Sequence, residues 1–212
     1  MGERIVDLSC SDFSAALAAK RSVPGGGGAA ALCGAFAVAL CTMAGNFTVG
    51  KKKYADVEED VKRMIAEGER LRERLVALVD EDALSFEPLS RAYGIAKDDP
   101  TREETIEVAT KAALQAPLQM MREICQSIDL LEEMEKAGSV MLLSDVGCGA
   151  SLAAAALEMA AMNVYVNTKT LRDRAYASAV DKECACMLQN DMARARAIAN
   201  RVITSMTGEE ND

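Results

Sequence analysis

The sequence predicts an all-α fold, a single-domain bundle of five to six helices over residues 1–212. Three observations support this. Several segments carry apolar residues at the three-to-four spacing of a helix, and no stretch alternates with period two for long enough to argue a sheet. Half of the residues are apolar, yet 4% are aromatic and none is Trp. A core of Ala, Leu, Val, Met and Cys suits closely packed helices, but each such side chain buries less area than an aromatic ring. Long elements, or a second subunit, must supply the rest.

Taken in order, Ser11–Arg21 reads as a short helix capped by Ser11 or Asp12. Pro24 and Gly25–Gly28 break the chain, and a second helix runs from Ala29 to about Gly45, with Ala30, Gly34 and Ala37 at helical spacing. Tyr54 to about Ala92 is a long amphipathic helix. Val57, Val61, Met64, Gly68, Leu71, Leu75 and Leu78 form its heptad-like seam. Thr101–Lys136 begins with a capping box, Thr101 to Glu104, and contains Pro117, which predicts a kink. Ser144 caps an Ala-rich helix reaching about Tyr165, and a last helix covers about Thr170–Thr204.

Composition excludes several functions. A net charge of −9 leaves no general basic footprint for nucleic acid or an anionic membrane. The chain has no His, so His-based triads, His-ligated zinc and a His general base are ruled out. The seven Cys are odd in number and mostly in apolar stretches, the pattern of buried, reduced thiols in a cytoplasmic protein. No metal site is expected, because Cys184 and Cys186 have the wrong spacing and no second pair. Ser22–Gly50 is uncharged, but its Ala, Gly, Cys and Thr content predicts a buried helix of a soluble protein rather than a membrane span.

Four places can carry chemistry. Gly25, Gly26, Gly27 and Gly28 precede a helix, where bare backbone approaches a ligand and free amides attract negative charge. A flexible loop is the plain alternative. Asn46, Thr48, Lys51, Lys52, Lys53 and Tyr54 form a polar, basic cluster suited to a carboxylate, or simply a solvated loop end. Gly45–Lys51 fits part of a phosphate loop, but Lys52 replaces the magnesium-binding hydroxyl and no strand precedes it. Asp82 continues the apolar seam beyond Leu78, so a carboxylate falls on a buried face and needs a partner or a role. Ser144 and Asp145, with Asn163 and Asn167 further on, are explained by helix capping or by hydrogen bonding to the edge of a heterocycle.

Taken together, these segments resemble the cyclodeaminase/cyclohydrolase family. The specific block is VPGGGGAAALCGAFAVALCTMAGNFTVGKKKY. LVDEDALSF at 78–86 and LLSDVGCGASLAAAALEMAAMNVYVNTKTL at 142–171 resemble the family's acidic stretch and third block. The family usually has a small hydroxyl residue where this chain has Gly28. It includes the cyclodeaminase domain of formiminotransferase-cyclodeaminase and stand-alone bacterial methenyltetrahydrofolate cyclohydrolases.

The resemblance implies a cytoplasmic all-helical homodimer acting on a tetrahydrofolate derivative, with no metal or redox cofactor. The first expectation is formiminotetrahydrofolate cyclodeaminase, which releases ammonia and closes 5,10-methenyltetrahydrofolate. The alternatives are methenyltetrahydrofolate cyclohydrolase and a non-enzymatic helical dimer or scaffold. Asp82 is expected as the acid/base, with Asp145 as second choice. The glycines would lie against the pterin or one-carbon centre. Lys51, Lys52 or Lys53 would take the glutamate or polyglutamate tail, and Asn46, Asn163 and Asn167 the pterin edge.

Overall fold

The computed structural model describes residues 4–208, which form eight α-helices and no strand. They are α1 (Cys10–Ala18), α2 (Gly26–Asn46), α3 (Glu58–Tyr93), α4 (Arg102–Ala113), α5 (Gln115–Ala137), α6 (Leu143–Thr168), α7 (Arg174–Met187) and α8 (Ala193–Thr207). α4 and α5 meet at Leu114. α7 and α8 are joined through a π-helical turn, Leu188–Met192. Counted as rods, these are the six helices read from the sequence. The break at Leu114 fits Pro117, which leaves the carbonyl one turn earlier without its donor.

The bundle is built around α2, which packs against α3, α5 and α6. Its small residues make this possible. A Cβ on Gly34 would stand 3.0 Å from Ile124 Cγ1, and one on Gly45 would stand 2.7 Å from Ile65 Cγ1. The α3 seam is buried as its spacing predicts: Val61, Met64, Leu71, Leu75 and Leu78 join the main core with Met120, Ile124, Ile128 and Leu131 of α5. Beyond Leu78 the core thins. The end of α3 and α4 form a small separate cluster of Leu89, Ala92, Ala109 and Ala113.

Neighbouring contacts fix the helix directions. The start of α2 meets Asp82 late in α3 and Asn163 late in α6. Its later Thr42 meets Gly68 early in α3, and Thr48 just beyond it meets Ser139 just before α6. α2 is therefore antiparallel to both. α2 and the segment Val140–Thr168 are long and apolar enough to cross a bilayer, although 61% of the α2 window is buried within the bundle.

Local signals need five corrections. The glycines do not break the chain: α2 starts at Gly26, so Gly26–Gly28 are its first turn. Ser9, not Ser11 or Asp12, caps α1, accepting from the Asp12 amide. The capping box at Thr101 is not formed, because Asp99 accepts from both the Thr101 amide and its hydroxyl. Ser144 does not cap α6, which is entered from a 3-10 turn, Val140–Leu142, with Leu142 at the cap position. Nor are the thiols mostly buried: all seven Cys are free, but Cys41 and Cys184 alone are fully enclosed and Cys10, Cys148 and Cys186 are exposed.

Candidate active site

A cleft of about 230 Å³ opens where the start of α2 meets the late turns of α3 and α6. Gly25, Gly26 and Gly27 form one wall, with Asp82 and Phe86 from α3, Asn163, Val166 and Asn167 from α6, and Ala113 and Pro117 from the α4–α5 junction. Three of the four sequence candidates thus contribute to one site: the glycines, the seam carboxylate and the two asparagines.

Asp82 is placed by the logic that singled it out. Asp80 is held outside by the Arg4 guanidinium and the Ile5 amide, and Glu81 pairs with Arg74. Asp82 continues the buried stripe and faces the glycine turn. Burial raises its carboxyl to about 6, while the Gly28 backbone N–H donates to it and works in the opposite direction. The first amides of α2 lack intrahelical acceptors and form the positive end of its dipole, which also favours the anion. Desolvation wins, leaving a carboxyl that can both give and accept a proton near neutrality.

The glycines are not interchangeable. A Cβ on Gly27 would stand 2.5 and 2.6 Å from the two Asp82 carboxyl oxygens, an impossible separation. On Gly26 it would press on Asn163 Nδ2 at 3.3 Å, whereas on Gly28 it would make ordinary contact with Val79 Cγ1 at 3.5 Å. Position 28 therefore has room for the small hydroxyl residue of the resembling proteins. Gly27 must be bare so that the carboxylate can lie on the backbone.

Asn163 and Asn167 turn their amide nitrogens back into α6, donating to the Met159 and Asn163 carbonyls at 2.8 Å each. Their Oδ1 atoms accept no hydrogen bond among the described residues, and both residues line the cleft. Sequence reasoning missed Phe86, Ala113, Pro117 and Val166. Pro117 was visible as a helix interruption, but nothing in the pattern marked it as a cleft wall.

The basic cluster lies elsewhere. The 21 residues of α2 span about 30 Å at the helical rise. They separate the glycine turn from Asn46, Thr48, Lys51, Lys52, Lys53 and Tyr54. Thr48 is buried there: its hydroxyl donates to the Ala44 carbonyl and accepts from the Ser139 amide, both at 2.7 Å. The Tyr54 hydroxyl accepts from the Val140 amide, and Lys51 Nζ reaches Ser139 Oγ at 3.4 Å. Ser144 and Asp145, in the first turn of α6, share this end. Within one chain, Asp145 and the lysines are therefore not brought to the Asp82 cleft. Among the described residues no three Cys, Asp or Glu gather as a metal site.

Residues 9–186 match the family model described as formiminotransferase-cyclodeaminase. The chain belongs to that family. It is 38% identical over 203 residues to a methenyltetrahydrofolate cyclohydrolase of Methylorubrum extorquens, covering 94% of this chain and 96% of that one. It is 25% identical to the formimidoyltransferase-cyclodeaminase of Mus musculus, covering 91% of this chain but 36% of that longer protein. A crystal structure of formiminotetrahydrofolate cyclodeaminase from Thermotoga maritima superposes with a TM-score of 0.81 at 28% identity, covering 92% of this chain and 98% of that one. The superposition covers the α2–α3–α6 arrangement, so the helical architecture of this chain is shared with that structure.

Proposed function

We propose that this protein is a folate one-carbon enzyme acting at the carbon held between N5 and N10 of tetrahydrofolate, with Asp82 as its acid/base. The observation that carries this reading is the half-buried Asp82 carboxyl, raised to about 6 and lying against bare backbone in a cleft lined by two asparagines. The cleft is small and half polar in character, suited to the pterin edge and the one-carbon centre rather than a whole folate. Asn163 and Asn167 Oδ1 are acceptors for pterin N–H groups. The free amides of Gly26 and Gly27 are donors for an oxygen that gains charge at the tetrahedral stage.

Full-length identity of 38% to a cyclohydrolase puts methenyl hydrolysis first. Ionised Asp82 takes a proton from water as the water oxygen bonds to the methenyl carbon. The tetrahedral carbon then collapses: its hydroxyl gives its proton to solvent and becomes the formyl C=O as the bond to N5 breaks, N5 takes the proton held by Asp82, and 10-formyltetrahydrofolate leaves. The likeness to the Thermotoga maritima cyclodeaminase favours the second reading. There, N10 bonds to the formimino carbon and its proton passes to the imino nitrogen, protonated Asp82 delivers a second proton to that nitrogen, and ammonia leaves as its bond to carbon breaks and the cationic methenyl bridge closes. Both steps balance through one carboxyl without a metal or redox cofactor.

A homodimer, a cytoplasmic location without membrane association, and recognition of a polyglutamate tail by Lys51–Lys53 complete the proposal. A scaffold needs neither a desolvated carboxyl nor glycine bared for it. The test is the absorbance of 5,10-methenyltetrahydrofolate with purified protein. Loss faster than buffer establishes the hydrolase. Methenyl formation with ammonia release from 5-formiminotetrahydrofolate establishes the deaminase. Inactivity in both assays rejects the enzyme reading.

A further inference from the structure

A carboxyl can move protons, but it does not by itself hold a flat substrate. Among the described residues that line the cleft, Asp82 is the one ionisable side chain and Phe86 the one aromatic ring, although the chain has four Phe and four Tyr. Phe86 follows Asp82 by four residues in α3, so the two share a helix face about 6 Å apart along the axis. Helical side chains lean toward the N-terminus of their helix, which tips the Phe86 ring toward the Asp82 turn. The half-buried ring also packs on the small cluster of Leu89, Ala92, Ala109 and Ala113. It is thus braced by apolar side chains at the end of α3 and in α4 while it borders the cleft.

The charge of the cleft has one source. Two helix ends meet there: α2 begins at Gly26, and α6 ends at Thr168, one residue past Asn167. The positive end of one dipole offsets the negative end of the other, and ionised Asp82 decides the sign. A carboxylate beside an aromatic ring, with no Lys or Arg in the lining, suits a planar ligand that carries delocalised positive charge. The face of an aromatic ring attracts such a cation, most strongly where water is excluded. Both candidate folates have this character at the reacting carbon. The methenyl bridge is an amidinium cation shared by N5 and N10, and the protonated formimino group is an amidinium of the same kind.

We infer that Phe86 is a substrate-binding residue whose ring stacks on the amidinium plane and favours cationic over uncharged folates. This rests on the folate reading above and adds how the cleft tells substrate from product in the hydrolysis. Water addition discharges the cation, so 10-formyltetrahydrofolate loses the attraction of the ring and of ionised Asp82, and it leaves in preference to the substrate. Phe86 itself exchanges no proton.

The test reads charge preference rather than activity alone. KM is measured for whichever of the two folates the wild type turns over, with Ki for uncharged 5-formyltetrahydrofolate as competitor. The proteins are wild type, Phe86→Leu and Phe86→Tyr, each checked by thermal unfolding. In Phe86→Leu the ratio of Ki to KM should fall on the order of fivefold with kcat near wild type. Phe86→Tyr keeps the ring face and should restore the ratio. If Phe86→Leu does not fold, Phe86→Met, which fills irregular gaps, carries the same comparison. Parallel losses for cation and neutral folate, or a ratio not restored by Phe86→Tyr, overturn the inference and leave Phe86 as a wall of the cleft. An active wild type whose ratio is unchanged in Phe86→Leu rejects the role of Phe86 alone. A wild type inactive on both folates rejects the folate reading itself.

Discussion

Gly27→Ala isolates the placement of Asp82 from its chemistry. The added Cβ would stand 2.5 Å from Asp82 Oδ2 and 2.6 Å from Oδ1, so the carboxylate must retreat by close to 1 Å to reach ordinary contact at 3.4 Å. A misplacement of about 1 Å at a reacting group costs on the order of 10²-fold in rate, or about 2.7 kcal/mol of barrier. Alanine also gains up to ~1 kcal/mol of helix propensity over glycine, which offsets part of the crowding, so thermal unfolding should move by only a few degrees. Gly28→Ala is the control, because its Cβ meets Val79 Cγ1 at 3.5 Å. Steady-state turnover of methenyltetrahydrofolate should fall about 100-fold in Gly27→Ala and stay near wild type in Gly28→Ala. Equal effects in the two variants, or full activity in Gly27→Ala, would refute the reasoning.

Asp82 also predicts pH behaviour. If it activates water, kcat/KM rises with pH through about 6 and then levels; if it protonates departing ammonia, the rate falls over the same range. The pH–rate profile thus separates the two reactions as well as testing the residue. Because the folded carboxyl lies above its unfolded value of 3.8, its stabilising contribution is fully present below about 4 and is lost as pH rises to about 6. Asp82→Asn should therefore be more stable than wild type at pH 7, by about 2–3 kcal/mol, and no more stable near pH 3, as read by urea unfolding. In the core, Gly68→Ala would place a Cβ 2.5 Å from the buried Thr42 hydroxyl. It should cost about 1–3 kcal/mol, with most of the cost recovered in Gly68→Ala/Thr42→Ala; simple additivity would show that Thr42 is not the obstacle.

The long elements were legible because burial imposes a period. Val61, Met64, Gly68, Leu71, Leu75 and Leu78 are the buried seam of α3, and extending that period identified Asp82 without any fold in hand. Glycines misled because their low helix propensity is real; Gly26–Gly28 are helical because Asp82 and Asn163 leave little or no room for a side chain at Gly27 and Gly26. The caps at Thr101 and Ser144 failed for a related reason: Asp99 and the 3-10 turn offered those segments other partners. Most informative is the basic cluster. It adjoins the glycine block in the sequence, but the helix between them holds the two ends about 30 Å apart. Only the packing directions of α2, α3 and α6 reveal which candidates share a cleft.

The most direct test of the central claim is methenyltetrahydrofolate turnover by Asp82→Asn beside the wild type, at matched folding and folate affinity. Asparagine keeps the size of the side chain and removes its proton chemistry. The account predicts accelerated hydrolysis by the wild type and a loss of at least about 100-fold in the variant, with folate still bound. Near-normal turnover by Asp82→Asn would contradict it and return the acid/base role to another group.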